Sequence, residues 1–310
     1  MSGSSYVPAI ETRALRKRFA GRWAVGGIDL LVEPKAIYGF LGRNGSGKTT
    51  AIRLILGLLR PTDGGVKVFG YDVASRRLEA ARQVGALLEA RATYDHLTGH
   101  ENLDLTRRLL GLPASEIGRV LEAVEMSHDA RRKVGHYSLG MRQRIGLARA
   151  MLGEPRLLIL DEPMNGLDPD GMREMRNTIR SLPDRTGATV FLSSHLLSEV
   201  QQTATHIGLM HEGRLIVQGA VSDLLQLATP DLLIRTNDSD KAMQILAASD
   251  YRAIRTGESV HVRMGGDRSE IGTVARLLVN AGLELRELTP QAATVESLYV
   301  HVQQSKMAAA

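Results

Sequence analysis

The sequence predicts an α/β layer fold followed by a smaller α+β domain, and three observations carry that expectation. Short continuous apolar runs at residues 36–41 (AIYGFL), 157–160 (LLIL) and 189–192 (TVFL) read as strands buried on both faces of a parallel sheet. Helix-like segments separate those runs over the first two thirds of the 310 residues. After residues 227–230 (LATP) the texture shifts to short strands and short helices, as a second domain would show in a chain this long.

Residues 49–59 follow the first run as a helix, with Ile52, Leu56 and Leu59 on one face. Between about residues 91 and 152 the strand signal gives way to helical periodicity, so a mostly helical insert is expected between two strands of the sheet. These segments make a first domain of residues 9–228. In the second, residues 230–301, strands are expected at 232–235, 251–255 and 259–264, where Val260, Val262 and Met264 alternate to one side. A helix is expected at 240–248, and another where Ile271, Val274, Ala275, Leu278 and Ala281 keep helical spacing, before a last strand from Leu283. That order, βαββαβ, is ferredoxin-like. Residues 303–310 are expected to fray.

Composition removes several classes. There is no cysteine, hence no disulfide and no thiolate metal or redox site. No apolar run reaches the roughly 18 residues that span a bilayer, and the N-terminus lacks the basic start and apolar stretch of a signal peptide. A soluble protein that reaches a membrane only through a partner is expected. The net charge of +5 is uneven: nine Lys/Arg face ten Asp/Glu from Pro230 onward, against thirty and twenty-four before it. Such an excess suits a nucleotide polyphosphate, an anionic membrane surface or simply a basic soluble protein. Aromatic residues are only 4% and no basic arm interleaves them, so no nucleic-acid partner is expected.

Chemistry concentrates at three places. Residues 42–49 (GRNGSGKT) fit G-x-x-x-x-G-K-[ST] between an apolar strand and a helix, the context in which that spacing cradles phosphates. Gly42 and Gly47 are expected to free the backbone, and the amides from Asn44, Gly45, Ser46 and Gly47 through Lys48, Thr49 and Thr50 to wrap the anion. Lys48 reaches the β- and γ-phosphates and the Thr49 hydroxyl ligates Mg²⁺. Asp161 and Glu162 close another buried strand with adjacent carboxylates that point in different directions. Asp161 is read as a Mg²⁺ ligand, through water, and Glu162 as the group that orients and polarises the attacking water. His195 ends a third strand, where ligands of parallel sheets bind, and is read as a γ-phosphate contact.

The order of that loop, Tyr137-Ser138-Leu139-Gly140-Met141, Leu160-Asp161-Glu162 and His195 resembles the ATP-binding subunit of ATP-binding cassette (ABC) transporters, over residues 10–227. The resemblance implies a P-loop NTPase of the ABC ATPase type that binds and hydrolyses ATP with Mg²⁺. It also implies a head-to-tail dimer, a homodimer or a pair with another ATPase subunit, that sandwiches two ATP. Ser138 and Gly140 would then contact the γ-phosphate of the partner's ATP, Asp168 would belong to the D-loop linking the two sites, and Phe19 would stack on adenine. A lone Phe is more often core, and Trp23 is read as packing.

Two segments depart from the family pattern. Glu89 stands where Gln is usual, still able to ligate Mg²⁺ but unable to donate a hydrogen bond when ionised. Leu139 and Met141 stand where Gly and Gln are commonest. Both departures, with His96-Leu97-Thr98 and Glu101-Asn102-Leu103, are similar to the ATPases of bacitracin-, lantibiotic- and daunorubicin-type resistance exporters. The resemblance therefore implies an integral-membrane permease as partner and a cytoplasmic position on the inner face of the membrane. An importer ATPase is the alternative, and a soluble ABC ATPase acting on DNA or the ribosome is a more distant one.

Overall fold

The strand that starts the fold, β1 (Ile10–Phe19), pairs antiparallel with β2 (Arg22–Ile28), β3 (Leu31–Val32) and β5 (Asp63–Val68), and β5 pairs with β6 (Tyr71–Asp72). This antiparallel sheet is absent from the sequence expectation of simple strand–helix alternation. Its hairpin turns at Ala20 and Gly21 with φ of 42 and 86°, both left-handed, as a two-residue turn matched to strand twist requires. Ala-Gly is a weaker hairpin signal than Asn-Gly, and the turn went unannounced. The computed structural model describes residues 7–88, 93–227, 231–264, 269–291 and 294–299 and divides into two compact units, with the break between Val221 and Ser222.

The second sheet of the first unit contains β4 (Ile37–Leu41), β7 (Val84–Leu87), β8 (Leu157–Asp161), β9 (Thr189–Ser194), β10 (His206–His211) and β11 (Arg214–Ala220). Its order is β11-β10-β4-β9-β8-β7, parallel throughout except for β11 at the edge. Every residue of β4 and β9 is buried, as their unbroken apolar runs predict.

The helices are α1 (Lys48–Ile55), α2 (Arg77–Ala81), α3 (Gly99–Leu109), α4 (Ser115–Ala123), α5 (Leu139–Ala150), α6 (Pro169–Thr186), α7 (Leu197–Gln201) and α8 (Val221–Leu227). The expected helix over 49–59 stops at Ile55, because Gly57 at φ 67° turns the chain. Gly57 donates to Leu54 O and Leu58 to Arg53 O, a Schellman stop. Helices α3, α4 and α5 pack on one another and lie in sequence between β7 and β8, which are neighbours in the sheet. An insertion there leaves the sheet order intact. A capping box starts α3: Thr98 Oγ1 accepts from Glu101 N at 3.1 Å, and Glu101 Oε2 accepts from Thr98 N at 2.7 Å.

The second unit contains β12 (Asp231–Thr236), α9 (Ser239–Ala248), β13 (Ala253–Thr256), β14 (Ser259–Arg263), α10 (Ser269–Asn280) and β15 (Leu285–Pro290). Its sheet order is β13-β14-β12-β15 with every neighbour antiparallel. Leu232, Ile234, Val260 and Val262 from the sheet pack with Ala242, Leu246, Val274 and Leu278 from the helices as a core of its own. The strand expected at 251–255 is displaced to Ala253–Thr256, and the last strand starts two residues later than Leu283, after the turn at Gly282 with φ 77°. The expected frayed tail, 303–310, lies outside the described residues. No described helix is long and apolar enough to cross a membrane.

The centre of the six-stranded sheet is an aromatic stack. Phe191 lies 5.6 Å from Tyr38, nearly parallel at 9°, and 5.2 Å from Phe40, with no exposed surface. Phe191 stands on the strand flanked by β4 and β8, so its cavity would open beneath both. Phe191→Ala is expected to destabilise the first unit by about 3–5 kcal/mol in urea unfolding.

Candidate functional site

Strand β4 delivers the chain into a glycine-rich turn that opens α1. Gly47, the residue before the helix, has φ 102°, and a Cβ there would meet Ala24 O at 2.3 Å. Only glycine satisfies both conditions. At Gly42 the expectation of a special dihedral is corrected: the constraint is space, since a Cβ would meet Met210 O at 2.5 Å and Ser46 Oγ at 2.6 Å. The turn is held on two sides. Gly42 N donates to Ser194 O at 3.3 Å, and Gly213 N donates to Ser46 O at 2.9 Å. The backbone is thus set before any ligand arrives.

Lys48 is 6% exposed, and its Nζ donates to Gly42 O at 2.7 Å. The same ammonium lies 3.4 Å from Glu162 Oε1. The other oxygen, Oε2, accepts from His195 Nδ1 at 2.8 Å and faces His195 N at 3.4 Å. One carboxylate is therefore oriented from opposite sides by the phosphate-loop lysine and the histidine, although the three residues are more than a hundred positions apart in sequence from end to end. Glu162 has φ 50°, a left-handed conformation that costs on the order of 1–3 kcal/mol for a residue other than glycine. That turn separates its side chain from the Asp161 carboxylate, which accepts from Ser193 Oγ at 2.5 Å.

A cleft of about 370 Å³ brings most of the expected residues together: Asn44, Gly45, Ser46, Gly47, Lys48, Thr49 and Thr50 face Glu162 and His195 across it. Asp161 and Gly42 are not in that lining: Asp161 directly precedes Glu162 in the chain, and Gly42 O accepts from Lys48 Nζ. Ser46 Oγ is buried in the loop without a hydrogen-bond partner, so the cradle retains polar capacity for an anion. For a divalent cation, Thr49 and Asp161 supply hard oxygen donors. Among the described residues no three His, Cys, Asp or Glu side chains form a protein-only cage. That donor set fits Mg²⁺, which shares its coordination with phosphate and water.

Ser138 and Asp168 line a separate cavity of about 630 Å³ together with Gly140, Gly166 and Asp170. Both have a local task the sequence reading did not assign. Ser138 is the N-cap of α5, its Oγ accepting from Met141 N at 3.2 Å, and Asp168 caps α6 by accepting from Gly171 N at 2.8 Å. As Ser138 Oγ accepts at the cap, its own hydrogen stays available for an anion at the start of a twelve-residue helix. The segment from Glu162 to Asp168 borders both cavities. Glu162 and Asn165 line the first, and Gly166, Leu167 and Asp168 the second. Buried Gln143 on α5 pins its middle, donating from Nε2 to Asn165 O at 3.3 Å.

Phe19 is in the lining of neither cavity. Phe19 sits beside the β1–β2 turn, 46% exposed, with Lys17 Nζ 5.2 Å from its ring centre. Glu89 lies outside the described residues. Trp23, expected as packing, is 48% exposed with the Arg18 guanidinium 5.5 Å from its ring centre. Sequence reasoning missed Ala24, whose carbonyl stands against Gly47, and Ser193 and Gln143, which only the tertiary structure brings to the site. The paired polar residues Ser193 and Ser194 ending an apolar run were the one available signal.

Comparison with known proteins agrees with this geometry. A family profile described as ABC transporter matches residues 25–165. The bacitracin transport ATP-binding protein BcrA of Bacillus licheniformis is 37% identical over 296 residues, covering 94% of this chain and 96% of that protein. The daunorubicin resistance ATP-binding protein DrrA3 of Streptomyces coeruleorubidus is 33% identical over 303 residues, covering 95% of each. Among solved structures, an ATP-binding subunit of an ABC transporter superposes with a TM-score of 0.63 at 27% identity, over 71% of this chain and 92% of the other. The chain belongs to the ABC transporter family, as an ATP-binding subunit and ATPase.

Proposed function

We propose that this chain is the ATP-hydrolysing engine of an exporter that removes a drug, a peptide antibiotic or a similar amphiphile, working on a separate integral-membrane permease from the cytoplasmic face. Relatives named for bacitracin transport and daunorubicin resistance, aligned over both units of the chain, support that substrate class. Residues 9–228 are the nucleotide-binding domain. Residues 230–301 are an accessory domain whose element order and all-antiparallel 2-3-1-4 sheet support the ferredoxin-like reading.

The observation that carries the hydrolytic reading is the Lys48–Glu162–His195 arrangement within the loop-lined cleft. The amides at the start of α1 receive the β- and γ-phosphates, and the Lys48 ammonium follows them as charge develops on the transferred group. Glu162, held by His195 on Oε2, accepts the proton of the attacking water. Phe19 offers its exposed ring to the adenine. Thr49 and Asp161, with Glu89 as a further ligand, would hold Mg²⁺, which when bound would offset phosphate charge. Exposed Ser138 and half-buried Gly140 at the start of α5 serve the nucleotide of a second copy, so two composite sites close in a dimer. Asp168, capping α6 within the segment that borders both cavities, links one site to the other.

Glu162→Gln is expected to lower kcat by about 10²- to 10⁴-fold while ATP still binds. With Mg-ATP this variant accumulates as a dimer in light scattering; a monomer at saturating nucleotide contradicts the composite site. Gly47→Ala combines a strained φ with a clash at Ala24 O, and a penalty of about 1–3 kcal/mol corresponds to roughly 5- to 150-fold weaker ATP binding by calorimetry. A pull-down from native membranes in mild detergent with ATP is expected to recover a polytopic membrane protein. Recovery of ribosomes or DNA-processing proteins instead overturns the export reading.

A further inference from the structure

We infer that Ser193 is a positioning residue of the hydrolytic site: its buried hydroxyl sets Asp161 and Glu162 at the angle that lets one serve the metal and the other the water. The inference rests on the metal reading of Asp161 given above and adds the residue that directs it.

Ser193 lies on β9, between β4 and β8, level with Asp161 on one side and Phe40 on the other. It has no exposed surface. Its Oγ donates to Asp161 Oδ1 at 2.5 Å and accepts from Glu162 N at 3.0 Å. One hydroxyl thus uses its single proton on the first carboxylate and a lone pair on the amide of the next residue. Both bonds act where the chain turns left-handed, at Glu162 φ 50°.

Consecutive carboxylates at a strand end share one short stretch of backbone. Unless Asp161 is held on one oxygen and the Glu162 amide is held in place, each can rotate into the other's position. Ser193 occupies Oδ1 and leaves Oδ2 for the cation. By fixing the Glu162 amide it also fixes the direction from which that side chain reaches Lys48 and His195. No other described side chain bonds both residues. Removing the hydroxyl leaves a carboxylate oxygen and an amide N–H without their partner inside the wall. The neighbouring Ser194 does a different job, accepting from Leu196 N at 3.0 Å, and cannot substitute.

The test uses the full chain with Ser193→Ala, Ser193→Thr, which keeps the hydroxyl, and Asp161→Asn. Three quantities are measured: ATP affinity without divalent cation, Mn²⁺ affinity of the ATP-loaded protein by electron paramagnetic resonance, and kcat and KM for ATP. Expected for Ser193→Ala are unchanged cation-free ATP affinity and KM, Mn²⁺ affinity about tenfold weaker, and kcat about 10- to 100-fold lower, with Ser193→Thr recovering most of both. Wild-type kcat and Mn²⁺ affinity in Ser193→Ala, while Asp161→Asn loses Mn²⁺, overturns the role of Ser193 alone. Full Mn²⁺ affinity in Asp161→Asn overturns the metal reading and this inference with it. A parallel loss of cation-free ATP affinity in Ser193→Ala shows general damage to the wall and also overturns it.

Discussion

The site depends on three parallel strands lying side by side. Strand β9 sits between β4 and β8, and the register sets Leu41 level with Ser194 and Asp161 level with Ser193. The carboxyl ends of the strands therefore finish at one edge of the sheet, where the phosphate loop, two carboxylates and a histidine emerge together. A one-residue slip of β9 would carry Ser193 and His195 away from Asp161 and Glu162. The stacked rings of Tyr38, Phe40 and Phe191 lie within the same three-strand frame, so packing and register support one another.

Upon that frame the chemistry needs local backbone exceptions. Gly47 and Glu162 both adopt positive φ, on either side of the cleft, and Lys48 and Glu162 meet across it at 3.4 Å. Strain at such positions persists only where neighbours over-determine the conformation. Here the neighbours are the Ala24 carbonyl, the Ser193 hydroxyl and the hydrogen bonds that tie the loop to the ends of β9 and β10. Pre-organisation of this kind places donors where charge develops without moving them during the reaction.

The second cavity follows another rule. Ser138 and Asp168 each cap a helix and also line open space, so the same side chain that fixes a helix end borders the cavity. The segment between Glu162 and Asp168 borders both cavities, and Gln143 holds its middle to α5. The carboxylate and the cap of α6 are therefore separated by one short stretch of chain that Gln143 anchors.

Local pattern was sufficient for much of this. The apolar runs marked β4, β8 and β9, the glycine spacing marked the phosphate loop, and adjacent carboxylates after a buried strand marked Asp161 and Glu162, because those features are written in contiguous residues. The helical insert and the order of elements in the second unit were legible for the same reason. The antiparallel sheet was not, since an Ala-Gly turn carries little signal by itself. The sequence by itself determined which groups could do the chemistry: a lysine, two carboxylates, a histidine and a glycine-rich loop. The tertiary structure decided their mutual geometry: space rather than dihedral freedom at Gly42, the Ser193 bridge, the Gln143 tie and the Ala24 wall. Each depends on atoms brought together by strand order, turn handedness or helix packing, and contacts over such separations leave no spacing in the chain to be read.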